Sequence, residues 1–323
     1  MTVGRLGQRL TRLVGVTYPV IQGGMAWVAD AQLAAAVSNA GGLGVIASAH
    51  LTPDQLRSEI RAARKMTAKP FGVNIMLMSP NAGAAARICC EEHVAVVTTG
   101  AGHPGEFMED FTSAGIIVMP VIASTAQAKR AASAGAHAVI AEGYEAGGHV
   151  GELTTMALVP QVVDAVDVPV VAAGGIADGR GAAAAFCLGA SGVQLGTAFV
   201  VARECTAHPN YKREVLTAAD SDTQVTGRSV GHPVRALKNR FTRELARLER
   251  EGASPDTVMS LGVGSLAKAV RNGDVDRGSV MAGQIAGLLK EEKTASDIVT
   301  GIMQEAEKVL ASLGAPGAPG PSS

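Results

Sequence analysis

Short apolar runs rich in Val and Ile alternate along this chain with Ala-rich stretches whose apolar positions recur at helical spacing. The runs cover residues 19–24, 43–48, 71–77, 94–100, 116–123, 138–143, 168–176 and 192–199. They are continuously apolar, not alternating, which is the pattern of strands covered on both faces. Strand–helix alternation implies parallel crossovers. Eight such units in one stretch suit an α/β fold of the (β/α)₈ TIM-barrel kind. A doubly wound open sheet is the competing arrangement; it would show fewer strands and one early Gly-rich turn.

The helical stretches carry their own punctuation. Residues 30–39 read as a helix stopped by Gly41 and Gly42. Thr52 suits an N-cap, with Pro53 at the first helical position. Residues 124–134 place alanines at helical spacing and stop at Gly135. Beyond Phe199 the pattern changes to charged helical stretches, residues 234–251 among them, with no further strand expected. The chain therefore divides into a barrel core over residues 1–205, a helical extension over 206–313 that packs on the barrel, and a Pro/Gly/Ser-rich tail over 314–323 expected to be disordered.

Composition narrows the function. The 323 residues are 47% hydrophobic, enough for a large core, and carry a net charge of −1, which predicts no nucleic-acid partner. Aromatics at 3% also argue against base-stacking surfaces. No apolar h-region follows Arg5, Arg9 and Arg12, and no apolar stretch is long enough to span a bilayer. A cytoplasmic protein without a membrane partner is expected. Cys89, Cys90, Cys187 and Cys205 form no metal-type pair, so reduced thiols and no metal site are expected.

In such a barrel the chemistry lies at the C-terminal ends of the strands. That rule selects Gln22-Gly23-Gly24-Met25, Asn74, Thr98 to Gly102, Glu142 to His149, Gly174 to Gly179, and Gly196-Thr197. The loops after the seventh and eighth strands are the fold's usual phosphate site. There Gly174, Gly175 and Gly196 let backbone N–H groups approach an anion, and Thr197 adds a hydroxyl. No GxxxxGK[ST] sequence occurs, which disfavours a nucleoside triphosphate. The flat glycine-rich ends at Gly23-Gly24 and at Gly100 to Gly102, with Met25 beside them, suit a planar ring. Phosphate and planar ring together indicate FMN, although these features alone do not separate it from other phosphorylated ligands. His149, in the loop after the sixth strand, is the foremost titratable candidate. His50, His93 and His137 read as structural, while His103 and His208 fit either reading. Asp178 suits a helix N-terminus and Glu145 a solvent-facing position.

These same segments carry a family resemblance. YPVIQGGMAWVAD (18–30), AGGLGVI (40–46), KPFGVNIMLMSP (69–80), VVTTGAGHP (96–104), AVIAEGYEAGGHVGELTTM (138–156), PVVAAGGIADGRG (169–181) and GVQLGTAFVVARE (192–204) resemble the nitronate monooxygenase/2-nitropropane dioxygenase-like flavoproteins. AHPNYK (207–212), GHPVRALKN (231–239) and GSVMAGQIAGLLKEEKTA (278–295) are similar to the C-terminal part of the flavin-dependent enoyl-acyl carrier protein reductases of type II. The resemblance implies FMN, held at or near Gly23, Gly24, Met25, Asn74, Glu142, Gly174, Gly175, Gly196, Thr197, Met281 and Gln284, and makes His149 the catalytic candidate. It further implies NADH or NADPH as co-substrate, an enoyl thioester on acyl carrier protein as partner, a homodimer, and activation by a monovalent cation. Nitronate monooxygenase is the alternative activity within the superfamily.

Overall fold

A computed structural model describes residues 6–313; the tail expected to be disordered, 314–323, falls outside them. Eight parallel strands form a barrel: β1 (Val20–Gln22), β2 (Gly44–Ala47), β3 (Phe71–Met76), β4 (Val96–Gly100), β5 (Ile117–Ile122), β6 (Val139–Glu142), β8 (Val170–Ala173) and β9 (Gly192–Leu195). A two-residue strand, β7 (Gly148–His149), lies between the sixth and seventh barrel strands. Each barrel strand falls inside a run read from the sequence. The ladder runs β1-β9-β8-β6-β5-β4-β3-β2, and a parallel bridge from Ile21 to Leu43 closes it.

Inside the barrel, Ile21, Val45, Val96, Met119, Ile140 and Val171 meet in one buried core. Leu10 and Val14, from the helix Gln8–Val14, join the same core. Two further cores lie between the strands and the surrounding helices. The cap expected at Thr52 forms, and Asp30, read from the sequence as the first residue of its helix, proves to be the cap of it. Asp30 Oδ1 accepts from Leu33 N at 3.0 Å, and Thr52 with Gln55 makes a capping box around Pro53. All four cysteines are free.

The region after β9 holds two strands that the periodicity did not reveal. β10 (Thr223–Thr226) pairs with β11 (Val234–Leu237), and β11 pairs with β7. The helix expected over 234–251 therefore begins only at Arg240 and runs as Arg240–Arg250. Asn239 causes the break: its side chain accepts from Thr242 N at 2.9 Å, and the Thr242 hydroxyl accepts from Asn239 N, so the helix is capped there. After this excursion the helix Ala295–Leu313 returns to the barrel. It packs between the helices Gly179–Cys187 and Ala31–Asn39, which follow β8 and β1. It thus takes the eighth place in the helical ring. Among the described residues no helix is long and apolar enough to cross a membrane.

One close approach sets the seat of the first helix. A Cβ built on Gly44 would lie 1.9 Å from the Ala34 carbonyl oxygen, so the helix Ala31–Asn39 touches the β2 backbone itself. Gly44→Ala should destabilise the fold by roughly 1–3 kcal/mol, because overpacking forces this contact apart. A denaturant-unfolding midpoint equal to that of the parent would show that the helix is not seated there.

Candidate active site

A cavity of about 810 Å³ opens at the C-terminal ends of the barrel strands. Its size is in the range of pockets that hold cofactor-sized ligands. Gly23, Gly24, Met25, Asn74, Glu142, His149, Gly174, Gly175, Gly196, Thr197 and Met281 all line it. Gln284 does not: it is exposed, and its neighbours Gly283 and Ile285 line the wall instead. The cavity also contacts residues that the strand-end rule passed over, chiefly Gln127 and Arg130 of the helix Thr125–Ser133 and His232 ahead of β11.

The side formed by β8 and β9 suits a phosphate. Gly174 and Gly175 follow β8 with φ of 87° and 72°, a conformation that glycine adopts without strain. Their N–H groups enter no turn or ladder hydrogen bond among the described residues. Gly196 precedes the short helix Thr197–Val200, whose N-terminus has no side-chain cap. By contrast, Asp178 fills the N-terminus of the helix Gly179–Cys187, accepting from Arg180 N and Gly181 N, and Arg180 closes over it as an ion pair. The backbone donors left for an anion are therefore those of the two glycine ends. Thr197 Oγ1 accepts from Gly283 N at 2.9 Å and retains its own proton to donate.

The adjoining wall, at the end of β1, is close-packed. A Cβ on Gly24 would lie 2.2 Å from Asn74 Cβ, so only glycine admits Asn74 there. Asn74 Nδ2 donates to Thr98 Oγ1 at 2.9 Å, which orients its amide. Met25 lies against Gly196, its sulfur 3.5 Å from where a Cβ would stand. A planar group resting on Gly23-Gly24 with a phosphate at Gly174, Gly175 and Gly196 matches the donors and shapes present, so the residues fit FMN.

The segment around Met281 is fastened over this mouth. Tyr211 donates from its hydroxyl to the Met281 carbonyl at 2.7 Å, and Gln284 N donates to the Glu145 carbonyl at 3.0 Å. Together with the Thr197 bond, the Glu145 bond makes two anchors from this segment to the barrel, while Tyr211 braces it from within the C-terminal region.

The loop from Gly143 to His149 carries the titratable groups. Glu145 does not face solvent as expected; its carboxylate accepts from Thr155 N at 2.9 Å and holds the loop to the helix Thr155–Ala165. Among the described residues Glu142 has no side-chain hydrogen-bond partner, and burial pushes its carboxyl up to about 7. His149 lies on β7 opposite Val234 of β11. Desolvation at the cavity, and then the charge of His232, hold its pKa below the ordinary imidazole value. Tyr144 turns away from the cavity. Its ring packs under Arg235, whose Cζ is 4.6 Å from the ring centroid, and its hydroxyl accepts from Arg228 at 2.8 Å. His103 Nδ1 accepts from Gly105 N at 3.1 Å, and His208 Nδ1 accepts from Asn210 N at 3.1 Å. Both thus cap short backbone turns, although His103 also borders the cavity. His50 packs on Trp27, and burial lowers it to about 4.

Comparison with known proteins agrees with this geometry. Residues 7–88 and 83–305 match the family model described as nitronate monooxygenase. The solved structure of FabK from Thermotoga maritima superposes with a TM-score of 0.92 at 48% identity, covering 94% of this chain and 97% of that one. A curated protein of Rhodococcus jostii, named as a 5-hydroxy-7a-methyl-1-oxo-octahydro-1H-indene-4-carboxyl-CoA dehydrogenase, is 37% identical over 95% of this chain and 97% of its own length. A probable nitronate monooxygenase of Staphylococcus aureus is 31% identical over 94% of this chain and 98% of its own.

Glu142 supplies a measurement of the site without any ligand. Its folded pKa of about 7 stands above the unfolded value of about 4.3, so the folded state holds its proton more tightly. Stability from this group is full below about pH 4.3 and is lost as the pH rises through about 7. Glu142→Gln removes that loss. In ligand-free protein it should melt roughly 2–6 °C above the parent at pH 8 and without such a gain at pH 5. Equal melting temperatures at pH 8 would place the carboxylate in bulk water.

Proposed function

The chain belongs to the nitronate monooxygenase family of oxidoreductases, and from that premise we propose that it is an FMN-dependent enoyl-acyl carrier protein reductase using NADH or NADPH. The observation that carries this reading is the likeness to FabK, an enoyl-acyl carrier protein reductase of type II, which runs through the barrel and the excursion alike. The segment Gly278 to Ala295 that resembled such reductases is the one fastened over the mouth by Tyr211, Thr197 and Glu145.

In this reading Gly174, Gly175, Gly196 and Thr197 hold the phosphate of FMN. Gly23, Gly24, Met25, Asn74, Glu142 and Met281 border the ring, with Gln284 fixing the segment beside it through its backbone. Bound FMN supplies a carrier that accepts hydride from a nicotinamide and passes it to an electron-poor double bond. The chain's own work is to align the substrate, keep water away, and handle the proton. Charge develops on the thioester oxygen as C3 gains hydride, and C2 then needs a proton. His149, whose ring bonds to no described residue, borders the cavity and is placed to hydrogen-bond that oxygen or to pass on the proton. The substrate arrives on acyl carrier protein, and the reading carries with it a homodimer and a monovalent-cation activator. A nitronate substrate is the second reading, supported by the Staphylococcus relative and by a nitroalkane oxidase structure from Streptomyces ansochromogenes at 32% identity and a TM-score of 0.84. In that case His149 acts as base or anchor.

The purified protein should be yellow and release FMN, not FAD, on denaturation; recovery of FAD would remove the cofactor assignment. The reduced enzyme, mixed in stopped flow with crotonyl thioester, a nitronate and oxygen in turn, should be reoxidised fastest by the thioester. Fastest reoxidation with the nitronate would decide for the second reading.

His149→Ala should keep its FMN, since the phosphate cradle follows β8 and β9, not β6. Enoyl reduction should fall by about 10²–10⁴-fold, while flavin reduction by NAD(P)H suffers less. Equal slowing of both half-reactions, timed by flavin absorbance, would instead make His149 a residue that positions the cofactor.

A further inference from the structure

His149 does not face the cavity alone. His232 lies with its ring centroid 6.4 Å away and its plane at 86° to that of His149. The pairing of β7 with β11 brings them together. His149 stands opposite Val234, and Val150 N donates to the Pro233 carbonyl at 3.1 Å, so His232 arrives two residues ahead of the partner of His149. Both side chains border the same cavity, and neither ring forms a hydrogen bond with a described residue.

The turn that presents His232 is built with care for its position. Gly227 has φ of 85°, and a Cβ there would lie 2.3 Å from the His232 carbonyl oxygen. His232 N donates to the Gly227 carbonyl at 2.9 Å. From behind, the Glu249 carboxylate accepts from Gly227 N at 3.0 Å, Ser229 N at 3.0 Å and Ser229 Oγ at 2.9 Å. Burial opposes the charge on Glu249, but these hydrogen bonds outweigh it and hold the carboxyl below its ordinary range. A turn anchored from helix Arg240–Arg250 therefore holds an imidazole at the cavity wall.

We infer that His232 is a second proton-handling residue of this site and works as a pair with His149. The inference rests on the enoyl reading only for the identity of the proton's acceptor. In that reaction the C2–C3 π bond breaks, and hydride, originally from the nicotinamide, forms the C3–H bond. His149 donates a hydrogen bond to the thioester oxygen. His232, as imidazolium, gives its N–H proton to C2, becomes neutral, and regains a proton from solvent at the open mouth. Two imidazolium ions at this separation repel, so protonation of one ring disfavours protonation of the other, and a single positive charge serves the pair. The other ionisable groups facing the pair are Glu142 and Glu145 from the loop after β6, and His103 and Arg130 across the cavity. Arg228, on the same turn, is turned to the Tyr144 hydroxyl, and Tyr211 on the far wall donates to the Met281 carbonyl.

The test uses the flavin-loaded protein and the variants His232→Asn, His232→Phe, His149→Asn and the His149→Asn/His232→Asn double variant. Histidine ring signals followed by NMR across pH need no substrate. In His232→Asn the titration of His149 should move upward, since the neighbouring charge is gone while the desolvation stays; an unmoved titration would overturn the pairing. In the enoyl half-reaction both His232 variants should be roughly 10²-fold slower, with flavin reduction by NAD(P)H within about twofold of the parent. His232→Phe preserves the edge-on ring contact but carries no proton, so parent-like turnover in that variant would reduce His232 to packing. The double variant should be about as slow as the slower single one, because residues acting as a unit are not additive; multiplied losses would make the two imidazoles independent. Should the parent reduce no enoyl thioester, the enoyl reading fails by itself. The same variants are then timed with the acceptor that does reoxidise the enzyme, and the NMR coupling still decides on the pair.

Discussion

Closure of the barrel between β1 and β2 depends on one side chain. The two strands share a single parallel bridge, Ile21 to Leu43, and beyond it the β1 backbone turns toward β9, with Gly23 N donating to the Leu195 carbonyl at 2.9 Å. Gln22 spans the gap that this leaves. Its amide oxygen accepts from Val45 N at 3.0 Å and its amide nitrogen donates to Val45 O at 3.1 Å, as a backbone peptide would in a ladder. The buried polar groups of β2 are thereby satisfied while the β1 chain is released to form the Gly23-Gly24 turn. Were the ladder continued by backbone alone, that turn would be drawn into the sheet, and the glycine end beside the β9 loop would be lost to the cavity.

The rest of the site is assembled from distant sequence. The barrel supplies the glycine ends and the loop of His149; the excursion after β9 supplies β11, His232 and the Met281 segment. The two meet along β7, a strand of only two residues, and at two anchors, Gly283 on Thr197 and Gln284 on Glu145. Arg235 reinforces the junction. It is buried on β11, stacks on Tyr144, and donates to the Tyr144 carbonyl at 3.1 Å. A guanidinium beside a neutral ring and carbonyl brings order to the loop without placing a competing carboxylate near the imidazoles.

How much of this was legible in the sequence depended on whether the signal was local. The barrel strands are continuous apolar runs closed by small residues, so each announced itself, as did the cap at Thr52, whose partner lies three residues away; Asp30 and Ser124 were read as the first residues of their helices and prove to be the caps. The glycine-rich strand ends pointed to the cavity because the fold fixes which end of a strand is functional. β11 stayed hidden because its four residues lead directly into a helix whose charged, 3.6-period pattern dominates the window. His232 was passed over for the same reason: its partner is 83 positions away by the numbering, and only strand pairing joins them. Arg130 and Gln127 reach the mouth from a helix, outside the strand-end rule. Gln284 shows the converse case, a position chosen by resemblance whose backbone, not its side chain, meets the site's loop.

The place of the helix Ala295–Leu313 has a bearing on how the chain matures. Translation delivers β9 some hundred residues before it delivers this helix, yet the helix is the piece that covers the seam between the first and seventh units. On the ribosome the nascent barrel must therefore stand with one apolar flank uncovered, including Val299, Ile302 and Met303's eventual contacts, while the whole excursion is made. Gly179 marks the docking point, since a Cβ there would lie 2.3 Å from Glu305 Cβ and its N–H is received by the Glu305 carboxylate at 2.8 Å. Until this helix docks, the chain presents a sticky apolar flank to quality-control proteases, and docking withdraws it.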